Sequence, residues 1–322
     1  MTQLRSFLAV VESGSVTAAA EQLYVTQPSV SAAVSALSKE LGVELTDRLG
    51  RSTEPSPAGK AFAPYARHVL GLLDQGNRAA REAAGAAELE LRIAAVTTAA
   101  EHIVPQLVQA FSARRPELTI ALDVGNRARV FSQVAGHKAD VAIGGRPPAG
   151  GELSGDAFMD NPILVTTARD DPLARRRSVP VEELGARPWL LREQGSGTRT
   201  MTEEFLARHE LAPRMLTMGS NGAIKQAVRA GLGVALLSRA ATALELQHRL
   251  LGTISLREPL PERQWFVLWP SSGPLREPVQ EFLEFVTSKA AKRLVERSWR
   301  AEASEAKGSP GRGGQRPRLP LS

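Results

Sequence analysis

The chain has 322 residues, 43% of them apolar, enough for two or three domains with real cores. It has no cysteine, which excludes a disulfide framework and thiolate chemistry, and no run approaches the ~20 consecutive apolar residues of a membrane span. The formal charge of +6 does not itself indicate a nucleic-acid partner: nine basic and three acidic residues between Lys289 and Arg318 account for all of it, while residues 1–60 hold five basic and six acidic side chains.

Leu4, Phe7, Leu8 and Val11 predict an amphipathic first helix, with no signal-peptide pattern before it, so a cytoplasmic chain is expected. Residues 15–42, SVTAAAEQLYVTQPSVSAAVSALSKELG, read as two short helices joined by a tight turn. Ser15 can cap the first, whose apolar stripe is Val16, Ala19, Ala20 and Leu23. Tyr24 and Val25 fill the turn, Thr26 is a second cap, and Pro28 falls in a first turn whose N–H groups are unpaired anyway. Val30, Val34, Leu37 and Leu41 recur at helical spacing, and Gly42 ends the helix. Gln27, Ser29 and Ser31 thus lie on the N-terminal turns of a second helix, the end that a helix-turn-helix sets against base edges, where glutamine can pair with adenine. The same small polar residues also read as ordinary caps.

The run FLAVVESGSVTAAAEQLYVTQPSVSAAVSALSKELGVELTDRLGR resembles the start of a LysR-type transcriptional regulator, sharing AA-x-x-L, QP-x-VS and ELG-V-L in one register. The resemblance implies a winged helix-turn-helix at residues 1–56 that binds double-stranded DNA. The expected contacts are Thr26, Gln27, Pro28, Ser29, Ser31 and Ser35, with Arg48 and Arg51 from a wing over Val43 to Arg51 turning at Gly50. Ala32 and Ala33 stand where the family commonly has Arg and Gln, which removes one DNA contact.

Ser56-Pro57 opens a long helix, the expected linker of residues 57–87, whose Phe62, Tyr65, Val69, Leu72, Gly76, Ala79 and Ala83 form a heptad seam. In the family this helix pairs with its twin, so a homodimer or homotetramer is expected. From Leu89 the pattern alternates. LELRIAAV, LTIALDV, ADVAIG, ILVTT, PWLL, RMLTM, VALL and WFVLW read as strands, and 101–114, 199–209 and 222–230 as helices, which predicts parallel sheets with crossover helices. The fold class is therefore α+β multidomain, and the resemblance implies a C-terminal two-lobed α/β domain of the periplasmic-binding-protein type over 88–290. Its lobe I is expected at about 89–161 with 265–290 and its lobe II at about 162–264. A basic tail, 291–322, is expected to be disordered.

Helix starts after strands bind anions through unpaired N–H groups. Thr97 and Thr98 precede one such helix; Ser196, Thr198 and Arg199 in QGSGTR begin another. They read either as helix caps or as donors facing each other across a metabolite cleft, with Arg199 as a counter-charge. The stretches VGNRARV, AIGGRPP, FMDNPILV, LREQGSGTR and MGSNGAIKQAVRAGLGVALLSR resemble the LysR subgroup that controls carbon-fixation (RuBisCO) operons. This implies a small anionic effector, a phosphorylated metabolite or a nucleotide, with Asn126, Arg146 and Asn221 also lining its site. No cofactor, metal or catalytic residue is expected. GLGV at 231–234 lacks the strand-GxGxxG-helix order, the five histidines are dispersed, and Ser196 is not in GxSxG. A solute-binding receptor without DNA binding is the alternative.

Overall fold

The computed structural model describes residues 1–49, 52–85 and 88–305. They group into two compact units, one of Met1–Val96, Ser112–Asp156 and Phe266–Leu283, the other of Thr97–Phe111, Ala157–Trp265 and the chain from Glu284.

The first unit begins with helices α1 (Thr2–Ser13), α2 (Val16–Leu23) and α3 (Gln27–Leu41). Gly14, Tyr24 and Gly42 follow them in the left-handed conformation, which turns the chain sharply after each. Phe7 and Val10 of α1, Ala19 and Ala20 of α2, and Val30, Val34 and Leu37 of α3 share one core. Strands β1 (Thr46–Leu49) and β2 (Ser52–Pro55) pair antiparallel as a hairpin, with Arg48 opposite Thr53, and it reaches past the expected end at Arg51; Gly50, expected in its turn, and Arg51, expected to flank it, lie outside the described residues.

Helix α4 runs from Pro57 to Ala83, through Pro64 and Gly76. Ser56 caps it by accepting from the Gly59 N–H at 3.0 Å. A Cβ at Gly59 would lie 2.0 Å from the carbonyl oxygen of Leu45, so only glycine lets the helix approach the DNA-binding segment this closely. Ala63, Ala66 and Leu70 then join that segment's core. The expected seam is only partly open. Phe62 packs beside Phe7 with ring centroids 5.8 Å apart and Leu72 is half-buried, whereas Tyr65 and Val69 are 71% and 51% exposed, and Leu73, which the heptad left out, is 42% exposed.

After α4 come β3 (Glu90–Val96), α5 (Thr97–His102), α6 (Val104–Ser112), β4 (Thr119–Gly125), α7 (Arg127–Ala135), β5 (Val141–Gly144) and β6 (Leu153–Asp160). One five-stranded sheet has the order β4-β3-β5-β12-β6, where β12 is Gln264–Pro270. The strand β3 runs parallel to β4 and β5, and β12 antiparallel to β5. In the second unit β7 (Ile163–Ala168) lies between β10 (Ala235–Ser238) and β11 (Leu251–Ile254), antiparallel to both. Beside them β8 (Trp189–Arg192) and β9 (Met215–Met218) pair in parallel. Helices α8 (Gly197–Arg208), α9 (Asn221–Arg229) and α10 (Arg239–Gln247) alternate with these strands, and Trp189 and Phe205 anchor the core.

Three expectations are corrected here. The sheets are not all parallel: β12 enters antiparallel and makes the five-stranded sheet mixed, and β7 enters antiparallel to both its neighbours, so that only β8 and β9 form a purely parallel sheet. Strands β6 and β11 were not anticipated. Both lie at sheet edges and are polar or short (LSGDAFMD, LGTI), so neither makes an apolar run. Finally, the tail expected to be disordered from 291 is helical to Glu305: after α11 (Glu277–Thr287), helix α12 (Lys289–Glu305) packs on α10 and buries Ala291 and Val295. Those two residues are spaced one turn apart, a stripe hidden by the charge around it. Residues 306–322 lie outside the described residues.

Candidate DNA-binding and effector sites

In α3 the buried and displayed faces are cleanly divided. Val30, Val34 and Leu37 are fully or nearly fully buried, while Gln27, Pro28, Ser29 and Ser35 are exposed and Ser31 is half-buried. Ala32, also exposed, puts a methyl group where the family commonly has the long donor arm of arginine. Thr26 is exposed but makes no cap bond. Its Oγ1 lies 2.8 Å from Ser29 Oγ, and this hydroxyl pair takes the place of the expected cap, while the Thr26 carbonyl accepts from the N–H groups of Ser29 and Val30. Arg48 sits on β1, and Arg51 falls outside the described residues. Tyr24, read above as turn filler, is 96% exposed at φ 55. An aromatic residue in a turn position suited to Gly or Asn was the available signal.

The expected effector residues of the second unit are brought together. Thr98, at the start of α5, accepts a hydrogen bond from Asn221 Nδ2 at 2.8 Å, and Asn221 Oδ1 accepts from the Arg192 guanidinium at 2.7 Å. All three are buried. Arg192 donates two further bonds to the Glu193 carboxylate, at 2.7 and 2.9 Å, so three of its five N–H donors are engaged. Arg199 Nη1 donates to the Arg192 carbonyl and to Thr217 Oγ1, both at 3.3 Å. Its guanidinium also pairs with Glu203, one helical turn on, at 2.7 Å. Ser196, 5% exposed, caps α8 by accepting from Thr198 N–H at 3.3 Å; Ser220 caps α9 by accepting from Ala223 N–H at 3.1 Å. Thr97 and Thr198 are half-buried.

Thus the heads of α5 and α9 meet at a buried guanidinium, Thr98 through Asn221, and the head of α8 is tied to the same strand end by the bond from Arg199 to the Arg192 carbonyl. Such a cluster suits an anion. Asn126 and Arg146 belong to the first unit and have other tasks there. Asn126 caps α7, its Oδ1 accepting from Arg129 N–H at 3.0 Å, and the Arg146 guanidinium lies over the Phe266 ring at 5.8 Å. Arg192 and Glu193 were not singled out from the sequence, although both stand in the LREQGSGTR stretch. Among the described residues there is no cluster of metal-binding side chains, and no helix is long and apolar enough to cross a membrane.

Comparison with known proteins agrees with both halves. Residues 1–60 match the bacterial regulatory helix-turn-helix protein of the lysR family, and residues 84–291 the LysR substrate binding domain. The chain is 33% identical to the HTH-type transcriptional activator CmpR of Synechocystis, over 88% of this chain and 93% of that protein. It is 34% identical to the RuBisCO operon transcriptional regulator of Allochromatium vinosum, over 91% and 97%. Among solved structures, the regulatory domain of Synechocystis CcmR in complex with 2-phosphoglycolate is 31% identical with a TM-score of 0.60, covering 63% of this chain and 97% of that one. Full-length CbnR complexed with its target DNA shares the fold at 21% identity and a TM-score of 0.57, over 88% and 97%. The match over residues 1–60 removes the alternative of a receptor without a DNA-binding segment. The chain belongs to the LysR family of transcriptional regulators, with an N-terminal helix-turn-helix that binds DNA and a C-terminal effector-binding domain.

Proposed function

We propose that this regulator responds to a small phosphorylated carboxylate held where α5, α8 and α9 begin. It acts in the cytoplasm as a homodimer or homotetramer and catalyses no reaction. The observation that carries this reading is the buried Thr98–Asn221–Arg192 chain, in which Asn221 and Glu193 take three of the five guanidinium N–H groups and leave two uncommitted, with Ser196 and Thr198 a few residues on at the head of α8. Thr97 and Arg199 border it. The CcmR domain, which resembles this one, is recorded with 2-phosphoglycolate, an anion of that class. DNA would be read by Gln27, Pro28, Ser29 and Ser35 from the open face of α3, with Thr26 and Ser31 at its edges and Arg48 and Arg51 from the hairpin.

Calorimetry of the full chain with 2-phosphoglycolate tests the site. Binding is expected, and Ser196→Ala should weaken it roughly tenfold, the loss of about one charge-assisted hydrogen bond. Thr98→Val removes the oxygen that Asn221 donates to and should weaken it as well, whereas Thr98→Ser should not. If the Ser196 and Thr98→Val variants bind as tightly as the unaltered chain, these residues are only caps and the effector lies elsewhere.

A further inference from the structure

Helix α4 has a second buried face, pressed against the turn after α7 and the segment that follows β12 in its own unit. A Cβ at Gly71 would lie 2.0 Å from the Gly136 carbonyl oxygen, in the turn after α7. One turn on, Gln75 Nε2 donates to the Pro274 carbonyl at 3.0 Å. One turn back, His68 Nδ1 lies 3.2 Å from the Ala135 carbonyl and Nε2 2.7 Å from Ser272 Oγ. A carbonyl can only accept, so in the neutral ring the hydrogen sits on Nδ1 and Nε2 accepts from the serine.

Toward the end of α4 the contact becomes ionic and buried. Asp140 Oδ2 accepts from Arg92 N–H at 2.8 Å and from Arg276 Nη2 at 2.7 Å. From the helix, Arg78 approaches Asp140 at 3.6 Å and donates to the His137 carbonyl at 3.4 Å, and Glu82 accepts from Arg276. Burial opposes the charge on Arg276, but Asp140 and Glu82 more than offset it and raise its pKa above the usual arginine value. Because Ala63, Ala66 and Leu70 of the same helix lie in the core of the DNA-binding segment, whatever holds α4 holds that segment as well.

We propose that this latch, with His68, Gln75, Arg78 and Glu82 on the helix and Asp140 and Arg276 on the effector-binding domain, fixes where the DNA-binding helices stand and passes the effector's influence to them. The second half of that statement rests on the effector control proposed above; the first does not. These are positioning residues, far from the base edges, and they act through the helix they hold.

The double variant Arg78→Gln with Glu82→Gln frees the helix side while leaving the Asp140–Arg276 and Asp140–Arg92 bonds of the domain in place. Since the natural chain has no cysteine, His68→Cys with Ser272→Cys offers a single site at which oxidation can fasten the helix again. The full-length protein is footprinted on operator DNA selected from random sequence, with and without 2-phosphoglycolate. Unlatching should change the length of protected DNA and abolish any change on adding 2-phosphoglycolate, while calorimetric affinity for that ligand stays within twofold of normal. The cysteine pair should cross-link at least tenfold more slowly in the unlatched background, and the oxidised protein should regain the original footprint. An unlatched protein with the original footprint, or a cross-link that restores nothing, overturns the proposal. If 2-phosphoglycolate does not bind the unaltered chain, the effector reading fails while the effector-free footprint still decides the latch.

Discussion

The two recognition regions of this protein use polar side chains in opposite ways. On α3, Gln27, Ser29 and Ser35 stand in water, on a helix held from behind by Val30, Val34 and Leu37. At the heads of α5, α8 and α9, Thr98, Asn221 and Arg192 are buried and bonded to one another. An exposed polar group contributes almost nothing to stability and keeps its hydrogen bonds for a partner, whereas a buried one is coupled to the fold and is costly to orphan. DNA recognition should therefore be separable from folding, and effector recognition should not.

The largest effect is expected where the DNA-binding region depends on a second copy. Tyr65, Val69 and Leu73 form the open face of α4, and changing Tyr65 and Val69 to Glu should give monomers in sedimentation. Such monomers should bind operator DNA about 100-fold more weakly, the usual scale of lost bivalency. A double variant that still sediments as a dimer would place the contact elsewhere. Next, Asn221→Ala removes the partner of one Arg192 Nη1–H and of the Thr98 hydroxyl, while the Arg192–Glu193 pair remains, and should lower unfolding free energy by ~1–3 kcal/mol in a denaturant titration. It should also weaken 2-phosphoglycolate binding; intact stability would show that water replaces the amide. The smallest effect on the fold belongs to Gln27→Ala, which should leave the denaturation midpoint unchanged within error. It should still reduce discrimination at one base pair by ~1–3 kcal/mol in a binding series on single-base operator variants. A shifted midpoint with unchanged base preference would reverse the contrast between the two regions.

How much was legible in the sequence follows the same division. Helices α1 to α4 were readable because their signals are local: Ser15 and Ser56 as caps, Gly42 as a stop, and apolar residues three and four apart. The eight apolar runs were readable as strands, but strand direction is a property of the partner, so the antiparallel entry of β7 and β12 was not. Arg192 was passed over because the residues that give it meaning are distant. Asn221 lies 29 positions away, and its other partner, Thr98, a further 123 from Asn221. The heptad on α4 named Phe62 and Leu72 and omitted Leu73, because seam spacing does not reveal which neighbour already covers a position.

The two close approaches on α4 impose a rule on its length. Gly59 meets the Leu45 carbonyl of the DNA-binding segment and Gly71 meets the Gly136 carbonyl of the effector-binding domain, both without room for a methyl group. At about 100° per residue, the twelve steps between them turn the helix through three full turns and roughly 120° more. Ala63, Ala66 and Leu70 share the phase of Gly59, Gln75, Arg78 and Glu82 cluster around that of Gly71, and Tyr65, Val69 and Leu73 occupy the remaining third. One helix thus gives one face to the DNA-binding segment, one to the effector-binding domain and leaves one open, by phase alone. A residue inserted or deleted between the two glycines would rotate every later position by about 100°, sending the charged hooks toward the wrong neighbour while leaving both ends of the helix well formed. Substitutions on this helix are met one face at a time, but a change of frame is met by all three faces at once.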